Sequence, residues 1–323
     1  MRTIRRFVAV TTAVAWVALT AQPAVADEVT ISDAGGAVTG LAYDSTSSRL
    51  FAVSEADGTS IIVTDDQGQN AGTISYGGSP ESVQGLAFHD GQLYVGDIGD
   101  ADAQRRQITV YRMAPNVGDA SYQAYDFAYP DGARDAKALL VSGKGRIYVV
   151  TAGDNPGVYR ADLDPSRSSV NQLERAADAP PGVTDAVFLS DGSTIVYRTA
   201  AGVQSVNAYE WEDLATVTYV GAPEGESLTS FREGRILVGA GPALRDEEVP
   251  TQDGTITIGS EPSASPSGEP TAAESSPAPE ESSEGDVGST SAKRPRGGGL
   301  KLALGAAGVL ALTCGGLVLL RRR

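Results

Sequence analysis

The chain reads as an all-β protein: a five-bladed β-propeller, then a disordered stalk and a single C-terminal transmembrane helix. Three features carry that reading. Five segments repeat one pattern of apolar strand, short Gly- or Asp-containing turn and second apolar strand: "GLAYDSTSSRLFAVSE" (40–55), "GLAFHDGQLYVGD" (85–97), "ALLVSGKGRIYVVTA" (138–152), "AVFLSDGSTIVYRTA" (186–200) and "SLTSFREGRILVGAG" (227–241). Aligned on Leu41, Leu86, Leu139, Val187 and Leu228 they recur at steps of 45, 53, 48 and 41 residues, the period of four-stranded propeller blades. Between the two ends, no stretch shows sustained helical periodicity.

The rest of each unit supplies the remaining strands. "SIIVTD" and "GTISYG" follow the first hairpin, "ITVYRM" and "AYDFAYP" the second, "GVYRADL" the third and "NAYEWEDLATVTYVG" the fourth. They alternate apolar with polar residues and are rich in Val, Ile, Tyr and Thr, as half-buried strands are. The fifth unit runs short after Gly241. "TITIG" (255–259), the N-terminal "EVTIS" (28–32), or both would complete it and close the ring, removing the exposed edges. Six blades is the alternative count.

The ends set the expected location. Arg2, Arg5 and Arg6 precede an apolar run from Phe7, and small residues at Ala24 and Ala26 follow, so 1–26 reads as a secretory signal peptide. The propeller ectodomain is expected over 27–259. Ser, Pro, Glu and Ala dominate the next segment, so 260–298 reads as a stalk unable to bury enough apolar surface to order itself. A transmembrane helix is expected over 299–320: Leu302 to Leu320 is almost wholly apolar and would span about 28 Å. The Arg321–Arg323 tail reads as its cytoplasmic stop. The protein is thus expected in the cell membrane, single-pass, with its N-terminal part outside. Membrane contact would be through that helix, and an extracellular protein, glycan or small ligand would be the partner.

Composition narrows the chemistry. The single cysteine, Cys314, falls inside the expected span, so no intrachain disulfide supports the ectodomain. Over 27–250, 15 Lys and Arg stand against 33 Asp and Glu, 15 − 33 = −18. A surface this acidic repels phosphate, which excludes nucleic acid as a partner. The one histidine, His89, sits beside an Asp90-Gly91 turn and reads as turn chemistry. Zinc chemistry has no Cys or His set to hold the metal. No Gly-x-Ser-x-Gly elbow, Walker loop or dinucleotide fingerprint is present in the ectodomain. Tyr209 and Trp211 in "AYEWED" read as packing between blades, with a binding surface as the alternative.

Two sets of polar residues remain as candidate sites. The residues two before each anchor, Thr39, Gln84, Lys137, Asp185 and Glu226, should lie on the innermost strands near one mouth of the central channel. With Glu81 and Asp135 they form a candidate ligand-binding mouth. Its alternative reading is a salt-bridged plug, with Lys137 facing Asp185 or Glu226. Asp97, Asp100 and Asp102 cluster within six positions of one another, and three carboxylates could supply part of a calcium shell. The spacing is not that of an EF-hand loop, and Arg105 and Arg106 offer counter-charges, which favours a salt-bridged turn. No cofactor is otherwise implied.

"YVGDIGDADAQRRQITVYRM", "YPDGARDAKALLV", "RIYVVTAG" and "GESLTSF" together resemble secreted bacterial β-propeller proteins. These are of the WD40-like or "esterase-like activity of phytase" kind, and most of them are uncharacterised. The resemblance spans about residues 38–240. Relatives typically continue Asp97-Ile98-Gly99-Asp100 with Asn, where Ala101 stands here. They tend to have Glu at the positions of Gln84 and Lys137, while Glu226 matches. If those acids form a metal or catalytic cluster in the family, two have been replaced in this chain. The resemblance therefore implies the fold, and leaves two functions. The first is a membrane-anchored extracellular binding or scaffold propeller without evident catalytic machinery. The alternative is a calcium-dependent phosphoesterase, esterase or lactonase, with Glu81, Asp97, Asp135, Asp185 and Glu226 as its acids.

Overall fold

The computed structural model describes residues 28–258, apart from positions 56 and 224. The expected signal peptide, stalk, transmembrane helix and arginine tail lie outside the described residues. Among the described residues no helix is long and apolar enough to cross a membrane.

The chain opens with β1 (Glu28–Thr30), which belongs to the last blade. Blade 1 follows as β2 (Val38–Asp44), β3 (Arg49–Ser54), β4 (Asp57–Asp65) and β5 (Asn70–Tyr76). Blade 2 begins with β6 (Val83–His89), β7 (Gln92–Asp97) and β8 (Ile108–Met113). A short β9 (Gly118–Ala120) then leaves it before β10 (Tyr122–Ala128) completes it. Blade 3 is β11 (Ala136–Val141), β12 (Ile147–Thr151) and β13 (Gly157–Arg160), then, after β14 (Asn171–Gln172), β15 (Glu174–Asp178). Blade 4 is β16 (Val183–Phe188), β17 (Thr194–Thr199), β18 (Gly202–Asn207) and β19 (Asp213–Val220). Blade 5 is β20 (Ser227–Ser230), β21 (Arg235–Ala240) and β22 (Ala243–Glu248), and β23 (Gly254–Thr257) ends the described chain. Five sheets result, so the propeller has five blades.

The two candidate closing strands take different places. β1 pairs antiparallel with β22, Glu28 opposite Arg245 and Thr30 opposite Ala243, and so supplies the fourth strand of blade 5. β23, which holds most of "TITIG", pairs parallel with β19 and lies on the outer edge of blade 4. Among the described residues the ring is therefore closed by the N-terminal strand. β23 belongs to a second pattern: β9, between β8 and β10 of blade 2, pairs parallel with β5 of blade 1. β14, between β13 and β15 of blade 3, likewise pairs with β10 of blade 2. Each of these short strands covers the edge of the preceding blade and satisfies backbone groups that would otherwise be free.

Because successive strand residues face opposite sides of a sheet, each blade buries two apolar faces, one against each neighbour. Five apolar clusters result, one per blade interface. Phe51, Val63, Leu86 and Val95 join blades 1 and 2. Val110, Phe127, Leu139 and Val149 join blades 2 and 3. Leu140, Val150, Ile195 and Tyr197 join blades 3 and 4. Val196, Tyr219, Leu228 and Val238 join blades 4 and 5. Val29, Ile31, Leu41, Leu50 and Leu237 join blades 5 and 1. On the axis the innermost strands enclose a cavity of only about 40 Å³, lined mainly by Ala42, Leu86, Ala87, Leu140, Val187 and Phe188.

Candidate functional site at the channel mouth

The innermost strand of every blade starts at the same mouth, and a local irregularity there decides which side chains line it. In blades 1, 3 and 4 the ladder to the second strand skips one inner-strand residue, namely Thr39, Lys137 and Thr184. In blade 2 the skip covers Gln84 and Gly85. In blade 5 pairing begins at Ser227, directly after Glu226. A residue that bulges from the ladder is re-aimed relative to its neighbours. The equivalent mouth positions are therefore Thr39, Gln84, Lys137, Thr184 and Glu226, with Thr184 where the sequence alignment had put Asp185.

Asp185 instead shares its position with Gly40, Gly85, Ala138 and Ser227, the residues that face the next inner strand at closest approach. There is almost no room there. A Cβ on Gly40 would stand 3.0 Å from the backbone of Gly85 and Leu86, and one on Gly85 (φ 91°) would stand 2.7 Å from the Leu139 nitrogen. In blade 4 the gap holds a carboxylate. Asp185 is 2% exposed; its Oδ2 accepts the Leu228 N–H at 2.7 Å and its Oδ1 the Ala186 N–H at 2.8 Å. The side chain straps blade 4 to blade 5 through backbone amides. Burial pushes its pKa well above the ordinary carboxylate value, against the pull of the two N–H groups.

The expected pairing of Lys137 with Asp185 or Glu226 is not what forms. Lys137 Nζ lies 3.2 Å from Asp135 Oδ2. Asp135 Oδ1 in turn accepts the Asp100 N–H at 2.9 Å. Glu226 is exposed, and Thr39 is buried with its hydroxyl on the Val83 carbonyl at 3.3 Å. Thr184 Oγ1 has no partner among the described residues.

Asp97, Asp100 and Asp102 do not converge. Asp97, 3% exposed, takes a two-pronged ion pair from Arg105 at 3.0 and 2.8 Å, together with the Glu81 and Ser82 N–H groups at 3.1 and 2.8 Å. Glu81 lies at the rim of this pair, 3.6 Å from Arg105 Nε and largely exposed. Asp100 accepts the Gln104 and Arg105 N–H groups at 3.0 and 2.7 Å, the bonds of an Asp-closed turn. Asp102 and Arg106 are exposed. Among the described residues no three Asp, Glu, His or Cys side chains are placed to hold a metal ion.

Two further candidates resolve differently from each other. His89 ends β6 at the far mouth, before a turn whose Asp90 and Gly91 both have positive φ (47° and 68°), a type I′ hairpin. Trp211 packs on the cluster between blades 3 and 4, 6.5 Å from the Tyr148 ring. Tyr209, in contrast, is 72% exposed, so the expectation of packing between blades fails for it.

No family model and no curated protein matches the chain. Among solved structures, one carrying the provisional name gluconolactonase is similar at 17% identity and a TM-score of 0.43, over 66% of this chain and 75% of its own. A Bacteroides caccae protein of unknown function is similar at 11% identity and a TM-score of 0.43, over 68% and 80%.

Proposed function

We propose that this chain is a propeller binding module, displayed on the outer face of a membrane by a C-terminal span and stalk. Its ligand, an extracellular protein, glycan or small molecule, docks on the mouth formed by Thr39, Gln84, Lys137, Thr184 and Glu226. The observation that carries this reading is the occupation of the acids at and beside the mouth. Asp97, Asp100, Asp135 and Asp185 each spend their oxygens on Arg105, Lys137 or backbone N–H groups. A metal-dependent hydrolase needs carboxylates free to hold its ion and activate water.

The test is a panel of glycans, peptides and small polar ligands titrated against the full-length protein, beside a panel of lactones, esters and phosphate esters with calcium. The expected result is saturable binding that Lys137→Ala with Glu226→Gln weakens at least tenfold at unchanged melting temperature. Calcium-dependent turnover of any ester, lactone or phosphate ester would sink the reading. The display geometry has its own test. Protease added to intact cells should release the propeller as a soluble fragment, and full protection would count against an outward-facing anchor.

A further inference from the structure

The seam between blades 4 and 5 holds a fully buried arginine beside a second one. Arg198, on β17, is 0% exposed, and its guanidinium lies over the Tyr219 ring at 5.0 Å. Arg245, on β22, lies over the same ring at 4.9 Å. Among the described residues one acid serves this group. Glu247 is 8% exposed; it accepts Arg245 Nε at 2.8 Å and the Tyr219 hydroxyl. Asp185 stands opposite Arg198 in the ladder, but both its oxygens are taken by the N–H groups of Ala186 and Leu228. Two guanidinium groups and one carboxylate leave the cluster with an excess positive charge, carried by a fully buried Arg198 and an Arg245 that is 15% exposed, and a low-dielectric interior penalises such a charge.

The hydrogen bonds of Arg198 show where that charge is directed. Nη1 donates to the carbonyls of Thr199 and Gly202 at 2.5 and 3.1 Å. Nε and Nη2 are buried and meet no acceptor among the described residues. These two share one edge of the planar group, the edge that grips carboxylates and other anions with two parallel bonds. One more buried donor in the same seam, Nη2 of Arg245, lacks a partner among the described residues. The Nη2 end of the Arg198 fork abuts Gly225: a Cβ there would stand 2.9 Å from Nη2, so a side chain at that position would crowd the fork.

We infer that the Nε–Nη2 edge of Arg198 is a binding site for a small monovalent anion, halide or carboxylate, held in the seam between blades 4 and 5. Such an ion neutralises the surplus charge and accepts the free donors. It makes the seam between blades 4 and 5 dependent on a counter-ion. The inference is independent of the ligand at the channel mouth.

The full-length protein in detergent tests it by thermal unfolding at constant ionic strength, with acetate, chloride or bromide replacing a bulky sulfonate buffer anion. The expected result is a saturable rise in melting temperature for the wild type that both Arg198→Lys and Arg198→Met lose. Lysine keeps the charge and lacks the fork; methionine lacks both. Acetate alone stabilising marks a fork made for a carboxylate, and halides stabilising equally mark a site selected by charge and size. Equal responses in wild type and variants, or no saturable response, overturn the inference. Should the variants fail to fold, bromide-soaked crystals of the wild type decide. An anomalous peak within hydrogen-bond distance of Arg198 Nε and Nη2 is expected, and a water there without anomalous signal refutes the site.

Discussion

Asp97 and Arg105 face each other through two parallel hydrogen bonds, Nη1 to Oδ1 at 3.0 Å and Nη2 to Oδ2 at 2.8 Å. The same arginine reaches the Gly99 carbonyl at 3.0 Å, so the loop after β7 is tied down at both ends. The pair is poorly accessible, with side chains 14% and 5% exposed. Replacing Arg105 with Gln leaves a buried carboxylate served only by the Glu81 and Ser82 N–H groups. A fully buried pair broken this way costs about 3–5 kcal/mol, and the two remaining N–H bonds lower the expected loss to about 2 kcal/mol. Asp100→Ala removes a turn closure and should cost about 1 kcal/mol, as a lost cap does. Urea unfolding of the two variants ranks them, and the reverse order would count against the ion pair as the main tie.

Calcium is expected to do little here. A bound ion at a hundredfold excess over its dissociation constant would add about 2.7 kcal/mol. With Asp97 taken by Arg105 and Asp100 by its own turn, adding calcium or a chelator should leave the melting temperature in place. A chelator-sensitive shift that Asp100→Asn abolishes would revive the hydrolase.

Asp185 predicts a pH slope. Its folded pKa is raised by burial, so between the unfolded value near 4 and the higher folded one the native state binds more protons than the unfolded state. This group's contribution is therefore fully present at low pH and is lost as pH rises through the folded pKa. Asp57, Asp66, Asp131 and Asp191, whose pKa values are lowered, act in the opposite direction. The difference between wild type and Asp185→Asn isolates this group's contribution. The wild type's relative stability should fall as pH rises from 4 to 8, and a flat difference would mean that Asp185 is ionised in the fold.

Gly85 sits where no side chain fits. Its φ of 91° alone costs an L-residue roughly 1–2 kcal/mol, and forcing a methyl group to within 2.7 Å of the Leu139 nitrogen adds about 1–3 kcal/mol. Gly85→Ala should therefore destabilise more than Gly40→Ala, whose Cβ meets backbone at 3.0 Å without a positive φ. Equal losses would mean that the inner strands spread easily.

How much of this was legible depends on the interaction involved. The hairpins are local, and Leu41, Leu86, Leu139 and Leu228 take equivalent places because two-residue alternation fixes their faces. Blade 4 slipped by one because Val187 is more apolar than Ala186, the true equivalent, and nothing in one sequence announces a bulge. Asp185 thus looked like a mouth acid when it is an inter-blade strap. Arg198 gave no signal in "STIVYRTA", where it reads as an exposed strand end. Its burial comes from Tyr219 and Gly225, more than 20 residues away. The edge strands β9 and β14 are two or three residues long and polar, so only the neighbouring blade makes them strands.

The closing strands separate two roles that look alike in sequence. β1 carries Val29 at 7% exposure and, just after it, Ile31 at 2%, both in the cluster between blades 5 and 1. Removing residues 27–33 therefore deletes two core side chains and bares the edge of β22. At about 1.5–3 kcal/mol for each fully buried side chain of this size, the loss is of order 3–6 kcal/mol, with aggregation through the open edge. The residues of β23 are all exposed, and its ladder with β19 runs only from Gly254 to Thr257. Five-residue Gly-Ser replacement of 254–258 should cost about 1–2 kcal/mol, arising from Ile258, which packs on the cluster between blades 4 and 5. Melting curves of the two variants, with light scattering to follow association, distinguish the roles. If the β23 replacement proved the more damaging, closure would rest on the C-terminal segment and the N-terminal strand would be an accessory.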